Sequence, residues 1–109
     1  MKSALAERHC KACEPGTAAM TEAQIGLILP QVPGWEARGG QITKTFKFQN
    51  YHQTMAFVNA VAWVAHREDH HPDMEVGYNR CVVRFSTHSA AGLTENDFIS
   101  AAKVDALFD

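Results

Sequence analysis

The sequence predicts an α+β fold in which three helices pack on one face of a four-stranded antiparallel sheet, in the order α-β-β-α-β-β-α. Three segments combine capping residues with apolar residues at helical spacing, which is typical of amphipathic helices. Four shorter segments alternate apolar and polar residues, which is typical of strands with one buried face. Short turns join these strands in pairs, so we expect two hairpins and a second sheet face that is partly open to solvent.

The first predicted helix begins with a capping box formed by Thr21 and Gln24, and Pro30 lies near its end. A strand that starts at Trp35 then turns back at Gly39-Gly40, because two consecutive glycines readily adopt the positive φ angles of a tight hairpin turn. The returning strand has one apolar face, formed by Ile42, Phe46 and Phe48.

A long second helix is predicted over residues 51–68. Asn50 and Gln53 form a capping pair at its start, and Pro72 closes the helical region because the residue before a proline is disfavoured in helical angles. Its broad apolar face consists of Phe57, Val58, Val61, Ala62, Val64 and Ala65.

Two strands and a C-terminal helix complete the predicted fold. Residues 73–78 alternate apolar side chains with polar residues or glycine, and a turn leads to a strand over residues 81–88. Thr94 and Asp97 repeat the capping box ahead of the last helix. Because capping alone is a sufficient reason for an acid at Asp97, the sequence favours that structural role over a functional one.

A length of 109 residues corresponds to one domain. Residues 1–19 show little periodicity and contain the turn signal Glu14-Pro15-Gly16, so we expect a flexible N-terminal tail and a single domain over residues 20–109. Within that tail, Cys10 and Cys13 have half of the spacing of a zinc knuckle. Because no second cysteine pair completes the knuckle, two thiols on a mobile tail are the favoured interpretation.

Composition argues against several classes of protein. Twelve acidic and ten basic residues give a formal net charge of −2, which provides no basic field for nucleic-acid phosphates. The longest apolar stretch, Ala60–Ala65, is far shorter than the ~20 residues of a membrane-spanning helix. No signal-peptide pattern is present at the N-terminus, and three cysteines do not make a disulfide scaffold. We therefore expect a soluble, cytoplasmic protein.

The histidines are the unusual feature of the composition. His66, His70 and His71 fall within six residues, and His88 lies at the end of the fourth predicted strand. His66 and His70 would share one helix face if the second helix continued to residue 70. Imidazoles titrate near neutral pH, so neighbouring histidines can act as acid and base in proton transfer. A metal site with nearby carboxylates, or histidines that only complement a helix end, are also compatible with this spacing, and the residues alone leave all three interpretations open.

A longer pattern links the histidines to residues elsewhere in the chain. It consists of Gly34-Trp35, Phe46-x-Phe48, His66-x3-His70-His71-Pro72, Tyr78, Ser86-Thr87-His88, Ala91-Gly92-Leu93-Thr94 and Asp97. From about Thr21 to the C-terminus, this pattern resembles that of the pterin-4a-carbinolamine dehydratases. The order of helices and strands in that family agrees with the order predicted above.

The resemblance implies an enzyme that removes water from 4a-hydroxytetrahydrobiopterin to give quinonoid dihydrobiopterin, in recycling the cofactor of aromatic amino acid hydroxylases. It implies no metal and no organic cofactor. His70 and His88 share the implied acid–base duty on the two sides of the pterin, while His71 binds and orients the pterin or assists proton transfer. The implied substrate-binding residues are Asp69, Ser86, Thr87, Asp97 and His66.

The resemblance also implies an oligomer, either a dimer or a tetramer, in which Trp63 or a sheet edge supplies the interface. Phenylalanine hydroxylase is a further implied partner, whereas direct contacts with nucleic acid or membrane are not expected. Animal members of the family serve as dimerisation cofactors of a homeodomain transcription factor. A non-catalytic binding or regulatory module for a hydroxylase or a transcription factor is therefore the alternative function.

Overall fold

A computed structural model describes residues 4–14 and 16–109, and it confirms the predicted fold class and element order. Three helices and four strands follow one another as the sequence pattern indicates. They are α1 (Glu22–Ile28), β1 (Glu36–Arg38), β2 (Gln41–Lys47), α2 (Tyr51–Glu68), β3 (Asp73–Val76), β4 (Arg80–Phe85) and α3 (Glu95–Asp105). Short 3-10 turns occupy Ala4–Glu7, Leu29–Gln31, His88–Ala90 and Ala106–Phe108.

The predicted caps are present at the starts of the helices. Thr21 and Gln24 exchange hydrogen bonds between side chain and backbone in both directions, which forms the reciprocal capping box of α1. The Gln53 N–H donates to Asn50 Oδ1 over 2.9 Å, and α2 has the predicted bounds. Within the described part of the chain, no helix is long and apolar enough to cross a membrane.

The sheet has the strand order β1-β2-β4-β3, and all its pairings are antiparallel. Gly39 and Gly40 form the turn between β1 and β2 with φ angles of 61° and 77°. Asp73, which begins β3, pairs with Arg84 near the end of β4. The segment that precedes β3 and the segment that follows β4 therefore leave the sheet at the same end. Cys81, Val83 and Phe85 on one face of β4 are at most 1% exposed, whereas Val82 on the other face is 8% exposed, so both faces of this central strand are covered near its start.

The long helix α2 ends before the histidine pair. Asp69 adopts the left-handed conformation, with φ 51° and ψ 44°, and so ends the helix. The His70 N–H donates to the Ala65 carbonyl over 3.2 Å, which closes this helix end with a six-residue turn. The chain then turns off the helix axis, so His66 and His70 do not share a helix face.

The N-terminal segment packs on the domain. Leu5 and Ala6 are buried in the core, with 3% and 8% of their surface exposed, and Lys103 Nζ on α3 donates to the Ala6 carbonyl over 2.8 Å. The prediction that residues 1–19 lie outside the core is wrong for this segment, because its first turn inserts apolar side chains against α3. Residues 1–3 and residue 15, which belongs to the predicted turn signal, lie outside the described residues.

Candidate active site

Most of the predicted site residues lie together where β4 ends and β3 begins. His70 and His71 come shortly before β3, and residues 86–88 directly follow the neighbouring strand β4. A pocket of about 610 Å³ lies between these segments, a volume in the range of small-molecule sites. The predicted residues that line it are Asp69, His70, His71, Ser86, Thr87 and His88.

A buried carboxylate holds one of these histidines. Asp97 has none of its surface exposed, and its Oδ1 lies 2.6 Å from His70 Nε2. An ionised carboxylate can only accept hydrogen bonds, so the Nε2–H of His70 donates to it. In the neutral imidazole the lone pair is then on Nδ1. This pairing sets the tautomer of His70 and leaves one ring nitrogen to exchange a proton.

The same carboxylate also organises the walls of the pocket. Asp97 Oδ2 accepts from Thr87 Oγ1 over 2.8 Å and from the Thr94 N–H over 2.9 Å. The Thr94 and Thr87 hydroxyl oxygens lie 2.7 Å apart. Because the Thr87 hydroxyl already donates its proton to Asp97, the Thr94 hydroxyl is the donor to Thr87. A chain of hydrogen bonds thus joins the cap of α3 to His70, and members of such a chain strengthen one another. Asp97 combines capping of α3 with orientation of His70, whereas its spacing from Thr94, taken by itself, favoured the capping role.

The His70 ring is further fixed by stacking. It lies nearly parallel to the Phe85 ring, with an interplanar angle of 9° and centroids 6.0 Å apart. Phe85 is the last residue of β4 and is 1% exposed, so it presents a rigid surface. Stacking and the carboxylate together leave the imidazole little rotational freedom.

His71 and His88 differ from His70 in exposure. Both are exposed residues that line the pocket, and neither ring has a hydrogen-bond partner among the described residues. His88 begins a 3-10 turn, and the loop around it is closed by the Thr87 N–H, which donates to the Gly92 carbonyl over 2.8 Å. Their ring nitrogens can therefore face a ligand in the pocket.

Two of the predicted substrate-binding residues do not line the pocket. Asp97 lies behind His70, and His66 is an exposed residue of α2 whose ring is 5.6 Å from that of Trp63.

Across residues 4–14 and 16–109, no group of three or more His, Cys, Asp or Glu side chains is arranged to hold a metal ion. The geometry therefore gives no support to the metal interpretation of the histidine spacing.

The structure adds pocket residues that the sequence did not indicate. Cys10, Lys11, Ala12 and Cys13 form part of the lining, together with Glu68 and Asn96. The N-terminal segment has no periodicity that predicts packing, and the family pattern begins only near Thr21. The pair of cysteines was the only unusual signal there, and it did not indicate where the segment lies.

Glu68 is an ionised group at the edge of the pocket. Burial alone would raise its pKa, but the hydrogen bond from the Cys10 N–H, the contact with His9 and the charge of Lys103 outweigh burial and hold the pKa below its usual range. Its side chain is 5% exposed. A carboxylate so enclosed keeps its charge at neutral pH and ties the N-terminal segment to the end of α2.

The thiol of Cys10 should make the folded state sensitive to alkaline pH. Burial, the largest effect, raises its pKa from 9.0 to about 11. An unfolded thiol ionises first, so the stabilisation is complete below pH 9.0 and is lost as the pH rises to about 11. Urea unfolding at several pH values should show a steeper decline for the unsubstituted protein than for Cys10→Ser, which keeps a hydroxyl near Ser100 but does not ionise. Parallel declines would contradict the assignment.

Comparisons with known proteins agree with the pattern of the site. The family model described as pterin 4 alpha carbinolamine dehydratase matches residues 18–107. A protein of Nitrosospira multiformis, provisionally named as a pterin-4-alpha-carbinolamine dehydratase, is 55% identical over 104 residues, which cover 95% of this chain and 92% of that protein. A protein of Xanthomonas campestris pv. campestris with the same provisional name is 56% identical over 107 residues, covering 96% and 91%.

Two solved structures share the fold. A transcriptional coactivator/pterin dehydratase from Brucella melitensis has a TM-score of 0.78 at 34% identity, covering 82% of this chain and 97% of that chain. A pterin dehydratase-like protein identified as a RuBisCO assembly factor in the alpha-carboxysome has a TM-score of 0.56 at 27% identity, covering 67% and 84%. With a family model matched over residues 18–107 and relatives of 55% identity over most of their length, this chain belongs to the pterin 4 alpha carbinolamine dehydratase family.

Proposed function

We propose that the protein dehydrates 4a-hydroxytetrahydropterins to quinonoid dihydropterins. The observation that carries this proposal is the 2.6 Å contact between His70 and the buried Asp97, in a pocket that also presents His71 and His88. The reaction breaks the C4a–O bond and removes the proton on N5, so it needs one proton donor and one acceptor. An oriented histidine beside two exposed histidines supplies both.

His70 is the proposed base. Its Nδ1 takes the N5 proton, and the Asp97 carboxylate then stabilises the imidazolium that results. His88 is the proposed acid, which protonates the departing hydroxyl so that it leaves as water. The proton removed from N5 and the proton given to oxygen balance, so no oxidant or reductant is consumed.

The remaining pocket residues are proposed to bind the pterin. His71 orients the ring or assists proton transfer, and the polar groups of Asp69, Ser86 and Thr87 accept or donate hydrogen bonds at the polar edge of the pterin. Asp97 acts through His70, while His66 has a place in the site only if the substrate extends beyond the pocket.

The proposed biological role is recycling of the cofactor of an aromatic amino acid hydroxylase. The product would return to the tetrahydropterin pool in the cytoplasm, and phenylalanine hydroxylase would be the functional partner. Self-association through α2 is proposed because Trp63 is 62% exposed there. A large exposed aromatic residue is typical of an interface.

A stopped-flow assay tests the proposed activity. A hydroxylase generates 4a-hydroxytetrahydrobiopterin in place, and we expect the protein to accelerate its decay by about 10²–10⁴-fold, the usual contribution of general acid–base catalysis. Boiled protein and buffer alone provide the background rate, since the dehydration also proceeds without a catalyst. An unchanged decay rate would reject the proposed dehydratase activity and leave the alternative, a binding or regulatory module. The exposed Trp63 would then be the first candidate for the contact with a partner.

A further inference from the structure

The N-terminal strap, residues 9–13, borders the pocket of the candidate active site. Cys10, Lys11, Ala12 and Cys13 line the same pocket as His70, His71 and His88. The proposed chemistry uses none of the strap residues. Their place in the pocket therefore needs a separate explanation.

Asn96 holds the middle of the strap on the first turn of α3. Its Oδ1 accepts from the Lys11 N–H over 3.0 Å, and its Nδ2 donates to the Lys11 carbonyl over 2.6 Å, so one buried amide satisfies both backbone groups of Lys11. The same Nδ2 lies 3.6 Å from Cys13 Sγ. The next residue, Asp97, holds His70, so one helical turn positions two sides of the pocket.

Glu68 holds the beginning of the strap from a different element. Its Oε1 accepts from the Cys10 N–H over 2.7 Å, and its Oε2 lies 3.0 Å from His9 Nδ1. Lys103 Nζ lies 3.8 Å from the same Oε2 and balances the charge of this buried carboxylate. Two independent anchors, one on α2 and one on α3, thus fix a short segment that has no helix or strand structure of its own.

We propose that the strap is a wall of the substrate pocket, positioned by Glu68 and Asn96, and that it determines how tightly the pterin is held. The inference rests on the proposed dehydratase function. The strap supplies no proton to the reaction, so its contribution belongs to the binding of substrate and transition state alike. Loosening such a wall raises KM and leaves kcat nearly unchanged.

Steady-state kinetics of Asn96→Ala and Glu68→Gln test this assignment. Each variant removes hydrogen bonds or charge from one anchor, and the loss of one such contact should raise KM about fivefold while kcat changes by less than about twofold. Arg8→Ala is the matched control, because Arg8 forms an exposed ion pair with Glu95 beside the strap and does not line the pocket. If both anchor variants retain wild-type circular dichroism and an unchanged KM, the strap is only structural and the proposal fails.

A second measurement does not depend on turnover. Oxidised biopterin is used as a stable probe, and the alkylation of Cys13 by iodoacetamide is followed by peptide mass spectrometry. We expect the bound probe to slow the alkylation of Cys13. The fully buried Cys81 should remain unmodified throughout, which shows that the protein stays folded during the reaction. If Cys13 is protected but the protein has no dehydratase activity, the proposed reaction is rejected and the strap is still a wall of the pocket. If equilibrium dialysis shows that biopterin binds but the alkylation rate is unchanged, the strap is not a wall of the pocket.

Discussion

Replacing His70 with alanine should reduce the catalysed dehydration by about 10²–10⁴-fold, to a rate near the uncatalysed background. The imidazole is the proposed acceptor of the N5 proton, and alanine leaves no group at this place that can take it. The buried Asp97 carboxylate also loses the partner that lies 2.6 Å away. Stopped-flow decay of 4a-hydroxytetrahydrobiopterin, at substrate concentrations above KM, measures the effect on kcat.

The controls for this prediction use other histidines of the same chain. His88→Ala should lower kcat to a similar degree, because the departing hydroxyl then lacks its proton donor. His52→Ala should leave the rate unchanged, since His52 is an exposed residue of α2 that does not line the pocket. Full activity of His70→Ala and His88→Ala would exclude the proposed acid and base.

Local sequence patterns were sufficient to predict the elements and the two hairpins. The capping box of Thr21 and Gln24 and the glycine pair of the first hairpin depend on neighbouring residues, so the sequence contains all that they require. The pairing of β3 with β4 then brings the two loops that contain His70 and His88 to one end of the sheet. The predicted hairpin of β3 and β4 thus accounts for the place where these histidines meet.

Contacts between distant parts of the chain were not predictable in the same way. The strap is held by hydrogen bonds from backbone N–H groups, which every residue except proline possesses, to side chains 58 and 85 positions away. Such bonds leave no pattern in the composition of the segment that donates them. His66 lies outside the pocket because the left-handed conformation of Asp69 ends α2 before His70, so the two histidines do not share a helix face.

Asp97→Ala should destabilise the protein by about 3 kcal/mol or more and also abolish catalysis. The carboxylate accepts from His70, Thr87 and the Thr94 backbone, and none of its own surface is exposed. Alanine therefore leaves three donors without a partner in a region that water cannot readily enter. Urea unfolding at neutral pH should show a lower midpoint with an unchanged slope.

Asp97→Asn distinguishes the structural from the functional contribution of this carboxylate. The amide oxygen can still accept from Thr87 and Thr94, so the loss of stability should be smaller than for alanine. The amide nitrogen then donates to His70 Nε2, which favours the tautomer with the proton on Nδ1. In that tautomer Nδ1 cannot accept the N5 proton. We expect a fall in kcat close to that of His70→Ala.

Asp105→Asn is the matched control, because Asp105 is a half-buried acid on the same helix whose partners are Lys44 and Trp35, outside the pocket. It should lower the unfolding midpoint and leave kcat unchanged. Should Asp97→Asn lose stability while keeping full kcat, the carboxylate would be a helix cap alone, and the orientation of His70 would have to come from its stacking on Phe85.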